Sequence, residues 1–236
     1  MEIIMEVKEI TTLQVEQSEV LRYLRWPMTK PLPPELADDL AQAEAAVLAA
    51  AQPRFVYKQF ALLPEDDVVV GRSLQGASLR LAGRDIACLL RGCSACLLLA
   101  ASLGRAVDEL IRRAQIRDVG QALLLDACAS AAVENLLEQL QAGLTAELQE
   151  QGWQLTARFS PGYGDLPLDC QAQFCATLDA ARRIGLTVSS SGLLLPRKSV
   201  TAVIGLAQQE LRAEQRDLSR HNCAACRLLD CPYRRK

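Results

Sequence analysis

The stretch from Asp118 to Gly152, DVGQALLLDACASAAVENLLEQLQAGLTAELQEQG, keeps its apolar positions on a helical period for about eight turns. A helix of that length usually crosses a whole domain, so whatever else the chain forms has to be arranged around it. On the N-terminal side, MEIIMEVKEI alternates like a strand, EQSEVLRYLRW reads as a short helix, and PPELADDLAQAEAAVLAAAQP as a strong helix with proline at its start. RFVYKQFALLP and SLRLAG are strand-like, RDIACLLRG is a short helix ending at Gly92, and ACLLLAAS is a buried strand. A further helix is expected from about Gly104 to Ala114. Beyond the long helix, WQLTARFS is a strand. CQAQFCATLDAARRIG is one helix with Asp169 as N-cap and Gly185 as stop. LTVSSSGLLLP and KSVTAVIGLA are two strands joined by a turn at Pro196.

Strands and helices therefore mix without a regular βαβ rhythm, and no internal repeat appears. The expected class is α+β: a mixed, mainly antiparallel twisted sheet flanked by helices, one of them running from about 118 to 150. The expected organisation is an N-terminal strand and helices over 1–50 packed on a main domain over 51–210, with a basic, Cys-rich tail over 211–236.

Composition narrows the function classes. With 236 residues and half of them apolar, the chain can bury a real core. A net charge of −2 argues against a general nucleic-acid binder, and no apolar run is long enough to span a bilayer. The acidic, alternating opening is neither a secretory signal nor a transit peptide, and nine cysteines without such a signal imply reduced thiols and a cytoplasmic protein. Cys88, Cys128 and Cys175 fall within apolar helical patterns and read as core, as does the Cys93–Cys96 pair. There is one histidine, His221, and no nucleophile-elbow, P-loop or dinucleotide-binding fingerprint. General acid–base work by histidine is not expected to carry the function.

RFSPGYGDLPLDC, residues 158–170, is too broken by Gly and Pro for a helix or central strand and must be a shaped loop. Arg158 ends a strand, where a rigid element can aim its guanidinium fork at a carboxylate. Gly162 and Gly164 let backbone approach a ligand, while Tyr163 adds a ring and a hydroxyl. This set suits a small zwitterion with a carboxylate and an aromatic or cationic part. It equally suits a structural loop whose arginine pairs with a surface acid.

The loop's R-x-x-x-G-Y followed by proline resembles the S-adenosylmethionine-binding motif of the reactivation domain of cobalamin-dependent methionine synthase. DACASAAVE, IGLTVSSSGLLLPRKSVTAVIGL and the closing CAACRLLDCPYR extend the resemblance to a stand-alone version of that domain. The resemblance implies that Arg158, Gly162 and Tyr163 are the family's binding residues, and that a family glutamate on the long helix falls at Glu134 or within a turn of it. It also implies that cobalamin is presented by a partner, a cobalamin-dependent methionine synthase or related corrinoid methyltransferase. The electron would come from a reduced flavodoxin or ferredoxin-like donor. The aromatic residue that full-length members carry after the last strand pair has no counterpart in GLAQQELRAEQ.

Finally, HNCAACRLLDC places Cys223, Cys226 and Cys231 as C-x2-C-x4-C, a spacing that can wrap zinc or an iron–sulfur cluster. His221 or Cys170 is a candidate fourth ligand, or the fourth position stays open, and an unligated tail is the alternative. Three functional readings stay open: an S-adenosylmethionine-binding reactivation subunit within a methyltransferase system, a metal or redox accessory protein working through the tail, and a non-catalytic docking module for a corrinoid protein.

Overall fold

A computed structural model describes residues 12–27, 29–65, 68–72, 78–212 and 215. The elements in chain order are α1 (Gln17–Tyr23), α2 (Pro34–Ala50), β1 (Arg54–Glu65), β2 (Val68–Arg72), β3 (Ser78–Ala82), α3 (Arg84–Leu89), β4 (Ala95–Ser102) and α4 (Arg105–Arg117). They continue with α5 (Val119–Gln149), β5 (Gln154–Phe159), α6 (Cys170–Thr177), α7 (Ala180–Ile184), β6 (Thr187–Val188), β7 (Leu194–Leu195) and β8 (Ser199–Ala207). The class is α+β. The main sheet has six strands in the order β3-β2-β1-β4-β8-β5, and each neighbouring pair in it is antiparallel.

Helices cover both faces, and the pleat divides each central strand between two cores. Phe55 and Tyr57 of β1, Leu97 and Leu99 of β4 and Ile204 of β8 pack with α1, α2, α4 and α5. Val56 and Phe60, Leu98, and Val203 from the same strands pack instead with Ile86 of α3, Phe174 of α6 and Ile184 of α7. That is why ACLLLAAS reads as an unbroken apolar run: all eight residues of β4 are buried. Helix α5, 31 residues and at about 1.5 Å each roughly 46 Å long, turns its buried apolar side chains into the first core. Asp118 caps its start, accepting from the backbone N–H of Gly120 at 2.8 Å and Gln121 at 3.1 Å.

Several expectations change in detail. The segment from Cys170 to Gly185 is two helices, because Asp179 adopts a left-handed conformation (φ +52°) after Leu178 and bonds Arg182 at 2.5 Å. Gly185 does stop the second one, at φ +68°. Asp169 occupies the N-cap position of α6 but makes no side-chain cap bond. LTVSSSGLLLP is not one strand: it folds back on itself as the β6–β7 hairpin, closed by Ser189 N–H donating to Leu193 O at 2.8 Å. Strand β2 lies in a segment the sequence pattern had not marked. Cys88 is exposed, whereas Cys96, Cys128 and Cys175 are buried as expected and Cys93 is half-buried. The N-terminal strand expected in MEIIMEVKEI lies outside the described residues.

Candidate functional site

The site begins with an irregularity in β5. Leu155 pairs with Leu206 of β8, but the next pairs are Arg158 with Ile204 and Phe159 with Val203, so three steps along β5 match two along β8. The extra residue is a β-bulge, and it decides which way Arg158 faces. In uninterrupted register Arg158 would stand opposite Val203, on the side of the second core. With the bulge it stands opposite Ile204, on the side of α5. The N–H of Gly205 donates to the Thr156 hydroxyl at 2.8 Å, and that hydroxyl donates to the Ala157 carbonyl at 2.9 Å.

On that side α5 presents Glu134, Glu138 and Gln141, an i, i+4, i+7 set along one helix face. Arg158 Nη1 donates to Gln141 Oε1 at 3.0 Å, and its Nη2 lies 3.4 Å from Glu134 Oε2. The Arg158 and Glu134 side chains are only 13% and 19% exposed. Loss of water lowers the pKa of Arg158, opposed by the negative charges of Glu134 and Glu138. Tyr163 keeps 46% of its surface exposed, yet crowding on its protein side pushes the phenol up to about 12, with the charge of Glu134 and then Tyr23 acting in the same direction. Burial, and next Glu134, also raise the phenol of Tyr23 at the end of α1. Glu134 thus acts on one phenol from the loop and one from the N-terminal helix.

The loop from Ser160 to Asp169 is held by the protein itself. Gly162 N–H donates to Leu166 O at 2.9 Å, Tyr163 N–H to Ser160 O at 3.1 Å and Leu166 N–H to Tyr163 O at 3.1 Å. Asp165 accepts from the backbone N–H of Arg84 at 2.7 Å and of Asp85 at 3.1 Å, and so caps α3 from across the fold. Gly164, at φ +51°, comes so close to Asp85 that a Cβ there would lie 2.4 Å from Oδ2. The expectation that this glycine admits a ligand is therefore corrected: α3 takes up the space. Gly162, at φ +87°, has only Leu168 Cδ1 near its missing Cβ, at 3.4 Å.

No family model and no curated protein matches this chain. Among solved structures, the MetH reactivation domain bound to AdoHcy superposes with a TM-score of 0.60 at 14% identity, covering 90% of this chain and 79% of that one. The chain's fold is like that of this reactivation domain. Within it the sequence-derived residues Arg158, Glu134 and Tyr163 come together, with Gly162 in the turn beside them. Gln141, Glu138 and Tyr23 were not singled out from sequence. Gln141 and Glu138 stand at helical spacing from Glu134, and that spacing was the available signal; Tyr23 carried none, because only packing brings α1 to α5.

The other expected centre falls elsewhere. Cys223, Cys226, Cys231 and His221 lie outside the described residues, and among the described residues no cluster of His, Cys, Asp or Glu is arranged to hold a metal ion. Cys170, at the start of α6, is a half-buried thiol whose pKa is raised by burial. A shallow depression lined by Val56, Lys58, Leu178, Asp179 and Arg183 shares no residue with the Arg158 cluster. Among the described residues no helix is long and apolar enough to cross a membrane.

Proposed function

We propose that this chain binds S-adenosylmethionine at the Arg158 cluster and serves as a separate reactivation subunit for a cobalamin-dependent methionine synthase or related corrinoid methyltransferase. The observation that carries the reading is the pairing of Arg158 with Glu134, 3.4 Å apart and mostly buried, on a reactivation-domain fold. An amino-acid head group has a carboxylate and an ammonium close together, and this pair has the opposite charges at matching separation. Arg158 forks onto the carboxylate. Glu134, with Glu138 behind it, takes the ammonium, and Tyr163 offers its ring to the sulfonium or the base.

S-adenosylmethionine supplies an electrophilic methyl group, for which the acceptor is reduced cobalt in a corrinoid held by the partner. The protein's share is then to bind, orient and exclude water, which needs no histidine. A reduced flavodoxin or ferredoxin-like carrier provides the electron.

Calorimetric titration of the purified chain with S-adenosylmethionine tests the site. Losing a charged hydrogen bond to a carboxylate costs about 1.5–3 kcal/mol, so Arg158→Met is expected to weaken binding roughly ten- to a hundredfold. Equal affinity in parent and variant overturns the assignment. For the role itself, the chain with S-adenosylmethionine and reductant is expected to restore activity to an oxidised corrinoid methyltransferase, and Arg158→Met to do so poorly.

A further inference from the structure

We infer that Gln141 is a positioning residue that holds the Arg158 guanidinium in its ligand-reading pose without neutralising it. The inference rests on the reading of the Arg158 cluster as an S-adenosylmethionine site. Gln141 is 4% exposed and makes two contacts: its Nε2 donates to the Thr156 carbonyl at 3.3 Å, and its Oε1 accepts from Arg158 Nη1 at 3.0 Å. A carbonyl only accepts and a guanidinium only donates, so the residue between them must do both, and the amide orientation follows.

The two contacts act on one object. Thr156 lies inside the bulge that turns Arg158 towards α5, so the same amide braces the bulged backbone and the side chain it re-aims. The choice of a neutral acceptor has a consequence for binding. A carboxylate at this position would hold the guanidinium more strongly but would cancel the charge a ligand carboxylate needs. Glu134, 19% exposed and at the longer distance of 3.4 Å, is the contact that gives way or changes partner when a ligand arrives, while Gln141 stays.

Binding of S-adenosylmethionine and of decarboxylated S-adenosylmethionine, which keeps the sulfonium and ammonium but has no carboxylate, is measured on the parent chain, Gln141→Met, Arg158→Met and the double variant. Gln141→Met is expected to lose about tenfold in affinity for S-adenosylmethionine and less than about twofold for the decarboxylated ligand. In the Arg158→Met background it is expected to cost nothing further. Equal losses for both ligands, or additive losses in the double variant, mean that Gln141 supports the fold only, and overturn the inference while leaving the site standing. Failure of the parent to bind S-adenosylmethionine overturns both. If Gln141→Met does not fold, Gln141→Asn, which is polar but too short to span both partners, is expected to show the same ligand-dependent pattern, and its absence is equally decisive.

Discussion

Two glycines flank Tyr163, and they do different work. Gly162 has a left-handed φ of +87°, and its missing Cβ would make only an ordinary contact with Leu168 Cδ1 at 3.4 Å, so a side chain there meets mainly conformational strain. Gly164 combines φ +51° with Asp85 Oδ2 at 2.4 Å and Asp85 Cβ and Cγ at 3.2 Å. Left-handed backbone costs a non-glycine residue about 1–2 kcal/mol. Gly162→Ala is expected to destabilise the protein by that amount, and Gly164→Ala by at least about 1 kcal/mol more, as Asp85 has to move. Urea denaturation of the two variants checks the order, and equal costs would show that Asp85 yields freely. Gly164→Ala is also expected to disturb α3, since Asp85 sits in its first turn.

At the scale of elements, the binding loop is fastened to α3 through Asp165. Helix α3 is six residues long and its own N-cap, Gly83, has no side chain to offer, so its first N–H groups rely on a carboxylate 80 residues away in sequence. The same bonds fix the middle of the loop that follows Arg158. Replacing an N-cap acceptor costs about 0.5–2 kcal/mol. Asp165→Ala is expected to lose that much stability and also to weaken S-adenosylmethionine binding, although Asp165 is not placed to touch the ligand. Asp118→Ala, which uncaps α5 at the far end from Gln141, is expected to lose a similar amount of stability with no change in affinity. Calorimetry on both variants separates a loop effect from a general loss of stability.

For the whole molecule, covering the sheet on both faces strips water from several titratable groups. Burial pushes the thiols of Cys93, Cys128 and Cys175 up to about 11 from an ordinary 9.0. It raises the Tyr57 phenol from 10.0, with Glu147 adding to the effect, and Tyr163 rises to about 12. In the unfolded chain these groups shed protons from about pH 9 (thiols) and pH 10 (phenols), while in the folded chain they keep them. Their contribution to stability is therefore complete below pH 9 and is lost as pH rises towards 12. The urea midpoint is expected to stay level to about pH 8.5 and then fall. Among the described residues the buried Tyr57 hydroxyl has no hydrogen-bond partner. Tyr57→Phe is thus expected to leave neutral stability unchanged or slightly higher and to make the fall above pH 10 shallower. A loss of more than about 1 kcal/mol at pH 7 would show that the hydroxyl is satisfied.

Local pattern was enough for the α+β class, for α2, α4 and α5, for β1, β4 and β5, and for a shaped loop after Arg158. Helical period, alternation and Gly/Pro punctuation are carried by neighbouring residues, so a single chain displays them. The break at Asp179 needed more, because one aspartate in left-handed backbone interrupts the helix without disturbing the helical period of the apolar positions around it. The pairing of β5 with β8 is non-local, and so is its bulge, since the extra residue exists only relative to the register of the partner strand. From sequence, Arg158 is an arginine at a strand end. Which core it faces, and so whether it meets Glu134 and Gln141 or a wall of apolar side chains, depends on one residue of slippage against a strand more than forty positions later. Because a strand alternates with a period of two, that slip reverses the side, and only the folded sheet determines it.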